Sequence, residues 1–330
     1  MNTASRVLRK ISLRRAGVAV AASGALAMTA ALALAGPASA SPLHGGGYQF
    51  RTVDNAKDVA FNQLLGVNNE GVIAGYFGSG AHNHPNKGYV LSHGAYRNEN
   101  FPGSVQTQVT GLNDEGVTVG FWSTMNTVNM VNDNFGFFSV GGRSYSVNFP
   151  TGNNASPPVN QLLGVNDHDV AVGFYTDANG TNHGYEYNIG DNRYRSVTDP
   201  YLPGTSLSAA AINDEGDVAG LYTNGAGTTD GFLKTHHGQF IDLAVPGASS
   251  TMALGVNGRD EVVGTYTVGS GSTAVMHGFT WTPQHGFRTI DDPNGVGTTT
   301  INGVNDRGQL VGFYVDGAGN TDGFVANPQH

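Results

Sequence analysis

Gly303-Val304-Asn305-Asp306-Arg307-Gly308-Gln309-Leu310-Val311-Gly312-Phe313-Tyr314 decides how the chain is read, because five close copies precede it. They run from Gly66-Val67-Asn68 to Gly75-Tyr76, Gly111-Leu112-Asn113 to Gly120-Phe121 and Gly164-Val165-Asn166 to Gly173-Phe174. Two more run from Ala211-Ile212-Asn213 to Gly220-Leu221 and from Gly255-Val256-Asn257 to Gly264-Thr265. The motif asparagines are 45, 53, 47, 44 and 48 residues apart, about the period of a propeller blade or a solenoid unit.

Each copy reads as four short strands. In the first, residues 62–68 and 72–77 are apolar runs separated by Asn69-Glu70-Gly71, a turn in which an Asx side chain bonds the backbone and Gly takes a positive φ. A polar loop, 78–87, leads to a third strand at Gly88-Tyr89-Val90-Leu91, and His93-Gly94 turns it into a fourth, 96–101. Pro102-Gly103 ends the unit, since Pro cannot donate to a ladder. Such a sheet has two apolar faces and no helix to cover them, so it buries them against its neighbours, as radially arranged blades do.

The chain ends sharpen this. The last copy stops after its third strand, 323–326, while residues 48–54, Tyr-Gln-Phe-Arg-Thr-Val-Asp, match Phe287-Arg288-Thr289-Ile290-Asp291 of a fourth strand. Pairing the two removes both free edges. The expectation is an all-β, six-bladed β-propeller of four-stranded antiparallel blades, at about 62–101, 107–149, 160–199, 207–245, 251–292 and 299–326, with the last blade closed by 48–54. The motif strand is expected innermost, with small residues at 66, 111, 164, 211, 255 and 303 crowding the axis, and the motif Asn is expected to tie down its turn.

The composition bounds function. Residues 1–40 read as a signal peptide: Arg6, Arg9, Lys10, Arg14 and Arg15, then an uncharged Ala-rich run, then Ala38-Ser39-Ala40, leaving 41–330 as one domain. Cleavage takes the formal charge from -9 to -14, so nucleic acid is not an expected partner, and no stable membrane association follows cleavage. The chain has no cysteine, which excludes disulfides, thiol nucleophiles and Cys-ligated metals. No nucleophile elbow, zinc motif or phosphate loop occurs, so no catalytic residue, cofactor or metal is assigned.

The phrase Gly-Val-Asn-Asp-x-Gly-x-x-Val-Gly-x-Tyr, followed by a Gly-rich loop, His-Gly-Phe and Asp-Pro, resembles the HAF-type extracellular repeat family over essentially all of 48–326. The resemblance implies a secreted or surface β-propeller. Its His is present at His183 and His277, while Lys87, Phe135, Asp230 and Asp322 stand at the matching positions, which argues against a universal catalytic role.

Loops between second and third strands share one end of the ring with the links between blades, and ligand sites are built on such ends. The candidates there are His82 and His84 as an i, i+2 pair, Trp122 as a sugar-stacking ring, Asp177 and Asp316 in calcium-like turns, and His183, Asp230, His277 and Asp322 from successive blades. The expected function is a secreted monomeric module that binds an extracellular glycan or protein. The alternative is a polysaccharide lyase or glycoside hydrolase using the His and Asp side chains, with the four residues from successive blades meeting near the channel mouth.

Overall fold

Apolar runs of five to eight residues cut by Asx-Gly turns fold into strands and almost nothing else. The computed structural model describes residues 47–81, 83–126, 132–199 and 204–329, so the leader and His82 lie outside the described residues. Among these are 24 strands and a single 3-10 turn, Gly271–Thr273. Strand β1 is Tyr48–Thr52. The first sheet comprises β2 (Asn62–Val67), β3 (Ile73–Phe77), β4 (Lys87–Ser92) and β5 (Ala95–Asn98). The second is β6 (Gln106–Leu112), β7 (Thr118–Ser123), β8 (Phe135–Val140) and β9 (Arg143–Val147). The third is β10 (Asn160–Val165), β11 (Val170–Thr176), β12 (Asn182–Asn188) and β13 (Arg193–Val197).

Next come β14 (Ser206–Ile212), β15 (Val218–Thr223), β16 (Thr229–Lys234) and β17 (Phe240–Leu243), then β18 (Ser250–Val256), β19 (Val262–Val268), β20 (Val275–Thr282) and β21 (Gly286–Thr289). The chain ends with β22 (Thr299–Val304), β23 (Leu310–Val315) and β24 (Thr321–Pro328). Together the sheets form a β-propeller.

The expectation of six separate sheets is corrected in one respect. Four sheets are separate and four-stranded, whereas β14 to β21 form one eight-stranded sheet. Its two antiparallel halves are joined by one parallel pair, Thr229 with Ser250. The same contact recurs as isolated bridges at Asn134–Val159, Met276–Thr298 and Phe61–Thr321. Only at Thr229–Ser250 do both partners already belong to strands, and there the ladders merge.

Closure follows the match between the chain ends. β1 pairs antiparallel with β24, from Tyr48 opposite Pro328 to Thr52 opposite Phe324, giving the order β1-β24-β23-β22. Val53 N then donates to Gly323 O at 2.8 Å.

The motif strands β2, β6, β10, β14, β18 and β22 pack side by side around the axis, with β22 returning to β2. A Cβ placed on Gly66 would lie 3.1 Å from Gly111 Cα, and one on Gly303 would lie 3.3 Å from Gly66 Cα, so the small residues set the diameter of the ring. Every inner strand carries a bulge just before this position, between Leu64 and Gly66 in the first and Ile301 and Gly303 in the last. The extra residue re-aims its side chain. Leu65, Thr110, Leu163, Ala210, Leu254 and Asn302 accordingly line the axis.

The Val-Gly and Gly-Phe phrases of the repeat lock together. Second-strand glycines sit opposite third-strand aromatics, as in Gly75 with Tyr89 and Gly264 with Phe279. A Cβ on Gly264 would stand 1.9 Å from Met252 O and 2.9 Å from the Phe279 ring, so the aromatic lies flat over the glycine. Third-strand glycines do the same between sheets, with Gly184 against Leu207 and Gly136 against Asn160. The core is therefore a series of apolar layers between adjacent sheets, such as Val172, Val197, Leu207, Ala209 and Phe232.

The motif asparagines do more than hold their own turns. Asn166 Oδ1 accepts from His168 N and Val170 N at 3.1 and 3.0 Å, closing its turn, while Nδ2 donates to Asn213 O at 2.9 Å on the neighbouring strand. The donation repeats from Asn68 to Asn113, Asn113 to Asn166, Asn213 to Asn257, Asn257 to Asn305 and Asn305 back to Asn68. Six buried side chains thus form a closed ring of hydrogen bonds around the axis.

Candidate functional site

Second-to-third-strand turns and inter-sheet links share one end of the propeller. His84 lies there, exposed, with Nδ1 3.1 Å from Asp58 Oδ2. Its expected partner His82 lies outside the described residues.

Trp122 does not offer a stacking face. Phe101 covers it at 4.4 Å and 3°, and Phe135 packs against it at 4.9 Å, because the Phe-Pro link from the first sheet folds over the second. Asp177 and Asp316 sit in turns that satisfy themselves. Asp177 Oδ1 accepts from Asn179 N and Thr181 N, and Asp316 Oδ1 from Ala318 N and Asn320 N. Burial pulls the Asp177 carboxyl upward, but His183 and the two backbone donors outweigh it and leave it below the ordinary carboxylate range. Among the described residues no group of three or more His, Asp or Glu side chains is arranged to hold a metal ion.

His183, Asp230, His277 and Asp322 occupy one register position on successive third strands, opposite Tyr175, Tyr222, Tyr266 and Tyr314. They do not converge at the channel mouth. Among the described residues no hydrogen bond or ion pair joins any two of them, because each lies on a different third strand, β12, β16, β20 or β24, and is engaged locally. His183 Nε2 is 3.0 Å from Asp177 Oδ2, and His277 Nδ1 is 2.8 Å from Asp291 Oδ2, a contact that raises the His277 pKa. Burial, then the neighbouring Asp242, raises Asp230. Burial, then Asp54 and Asp316, pushes Asp322 up to about 6.

The cavities along the axis enclose only about 30, 70 and 90 Å³. A cleft of about 420 Å³ opens instead between the third sheet and β14, lined by Tyr175, Asn182, His183, Ser196, Thr198, Asp199, Thr205 and Leu207. Ligand sites fall in the range of roughly 300–1,000 Å³, which favours the cleft over the axis. Phe149 at 4.5 Å and His183 at 4.9 Å both stack on Tyr175, so the exposed imidazole is the outermost ring of a three-ring pile. Asn182 is committed to the scaffold, with Nδ2 reaching Ser208 Oγ at 3.2 Å and its N–H reaching Ser206 Oγ at 3.0 Å.

The links differ in the residue that precedes their proline. The residue before the link proline is Phe101 in the first link and Phe149 in the second, and each stacks on the next sheet's second-strand aromatic, Trp122 or Tyr175. In the third and fifth links that residue is Asp199 and Asp292, and in the fourth it is Val245. Asp199 is close enough to Tyr222 to add, after burial, Asp242 and Asp230, to the upward shift of the phenol. Asp199, Ser196, Thr198 and Thr205 were not singled out by the repeat motif.

No protein-family model matches the chain, and no curated protein matches it. Among solved structures, AofleA from Arthrobotrys oligospora aligns at 12% identity over 84% of this chain and 86% of its own, with a TM-score of 0.51. A catalytically inactive virginiamycin B lyase from Staphylococcus aureus, with quinupristin, aligns at 8% identity over 84% and 99%, with a TM-score of 0.46. Aleuria aurantia lectin in complex with Fucα1-6GlcNAc aligns at 10% identity over 81% and 93%, with a TM-score of 0.46. At such identities the likeness to AofleA concerns the fold alone. Among the described residues no helix is long and apolar enough to cross a membrane.

Proposed function

We propose that this chain is an exported six-bladed propeller of the HAF-repeat type that binds a glycan outside the cell. Export rests on the leader-like residues 1–40. The count of six rests on the six inner strands and on taking the eight-stranded sheet as two four-strand blades, since one residue pair joins its halves. The observation that carries the binding reading is the cleft of about 420 Å³, with imidazole, hydroxyl and carboxylate groups around a partly apolar floor of Val197 and Leu207. A sugar ring has the same mixed character, and a concave site of this size suits a saccharide better than a flat protein surface. The test is a glycan array probed with the mature protein, followed by calorimetry on any hit. Saturable binding is the expected result, and no binding across the array would overturn the reading.

A second reading, a carbohydrate-active enzyme, is favoured by one observation: the His277–Asp291 pair is geometrically suited to proton transfer. It predicts new reducing ends or unsaturated uronate absorbance from a polysaccharide panel, lost in a folded His277→Ala variant.

A further inference from the structure

We propose that the seam closing the ring is an acid-stabilised latch: β1 stays paired with β24 in acidic medium and opens locally in alkaline medium, where the carboxylates gathered at the seam repel one another. Four segments meet at Tyr314. It stands opposite Asp322 on β24 and Thr299 on β22, and Thr299 Oγ1 accepts from Asp292 N at 3.2 Å. Its phenol oxygen lies 2.8 Å from Thr52 Oγ1 at the end of β1, and two residues on, Asp54 Oδ1 accepts from Gly323 N at 3.2 Å. Asp316 opens the turn between β23 and β24. Among the described residues none of Asp54, Asp292, Asp316 and Asp322 forms an ion pair with Lys, Arg or His. Asp292 and Asp322 are buried, and Asp292 Oδ2 has no hydrogen-bond partner.

The other titratable groups around the seam do not offset this charge. Tyr96 on β5 donates to Asp54 O rather than to its carboxylate, and Tyr89 on β4 donates to Asn62 Oδ1. His277 is held by Asp291, and Arg51 is exposed and acts on Tyr96. Tyr48, Glu261, Arg288 and Arg259 meet at the far end of β1. Burial, then Asp54 and Asp316, pushes Asp322 up to about 6, and burial also raises Asp54 and Asp292. A carboxyl raised in this way stabilises the closed form below the ordinary carboxylate range and loses that contribution as pH climbs through its folded value. Burial pulls Asp316 upward too, but Asn320 and the backbone donors of its own turn outweigh it, so its charge persists beside the seam. Opening bares the edge of β24, a template for another strand.

The experiment is amide hydrogen exchange of the mature protein at pH 4.5 and pH 8, with protection corrected for the intrinsic chemical rate. Residues 48–54 and 321–328 should lose protection at pH 8 by about tenfold or more, while β9, the fourth strand of the second sheet, keeps its own. Asp322→Asn should hold the latch closed at both pH values. Should that variant fail to fold, Asp54→Asn keeps the acceptor for Gly323 N and should shrink the loss by about threefold or more. Equal protection of 48–54 at both pH values overturns the latch. So does a loss of the same size in β9, because the whole ring then softens together. A loss unchanged in the folded Asn variant removes the carboxylates as its cause and overturns the proposal as well.

Discussion

The motif asparagine is the residue on which the repeat turns, because it serves two sheets at once. Asn166 is buried, closes its own turn through Oδ1 and reaches Asn213 O through Nδ2. Removing it leaves the buried Asn213 O without its partner, at about 1–3 kcal/mol for a buried unsatisfied group, and frees the two part-buried amides of its own turn. Asn166→Ala should therefore lower stability by about 2–4 kcal/mol, read as a shift of the urea midpoint with an unchanged slope. A loss under about 0.5 kcal/mol, the range of an ordinary surface change, would show that the neighbouring strand gains nothing from the side chain. The turn-holding half of this role is legible in the sequence, since Asn followed by a polar residue and Gly is an Asx turn by itself. The half that reaches Asn213 is not, because it depends on how closely two inner strands approach. Trp122 was misread for the same reason. Its exposure depends on Phe101, a residue of the preceding link, lying 4.4 Å over its face.

Among elements, β1 has the most consequence, since it is the one strand whose sheet partners come from the other end of the chain. Its pairing was legible because residues 48–54 repeat the pattern of a fourth strand that the last unit lacks. The bulges of the inner strands and the Thr229–Ser250 bridge were not legible, being set by register rather than residue type. Nor was the cleft, which depends on how the third sheet and β14 approach one another. The seam also brings acidic groups together. Gly323 N donates to Asp54 Oδ1 at 3.2 Å, and Thr52 Oγ1 lies 2.8 Å from Tyr314 OH, beside Asp322. The Asp322 pKa of about 6 lies above its unfolded value, so its protonated form is favoured by folding. Its contribution is fully present below the ordinary carboxylate range and is lost as pH rises through about 6. Asp322→Asn should accordingly match the wild type near pH 4 and exceed it at pH 8 by about 1 kcal/mol, roughly 2–4 °C in Tm. A variant less stable than the wild type at pH 8 would show that the carboxylate is satisfied at the seam rather than strained there.

The whole molecule is held as a circle, and a second ring outside the asparagines reveals where that circle is incomplete. Asn69 N donates to Asp114 Oδ1, Asp114 N to Asp167 Oδ1 and Asp167 N to Asp214 Oδ1, at 2.7–2.8 Å. Gly258 N then donates to Asp306 Oδ1 and Asp306 N to Asn69 Oδ1. The one missing link is from Asp214 to position 258, where Gly258 has no side chain to accept. Gly258 is exposed and its φ lies outside the left-handed region, so a side chain there meets no backbone strain. A Cβ would lie 3.1 Å from Asp306 Oδ1 and 3.3 Å from Glu215 Oε2, ends of side chains able to shift. Gly258→Asn should close the ring and raise stability by about 1 kcal/mol, combining one added hydrogen bond with lower entropy in the unfolded chain. Gly258→Asp has the same reach but adds a carboxylate beside Asp306 and Glu215. It should gain less at low ionic strength and approach the Asn variant as salt screens the repulsion. Urea midpoints of the two variants at low and high salt decide the matter. If Asn gives no gain at either salt level, the outer ring is a geometric consequence of the repeat and adds nothing to closure. If the two variants differ equally at both, the repulsion is not between exposed charges.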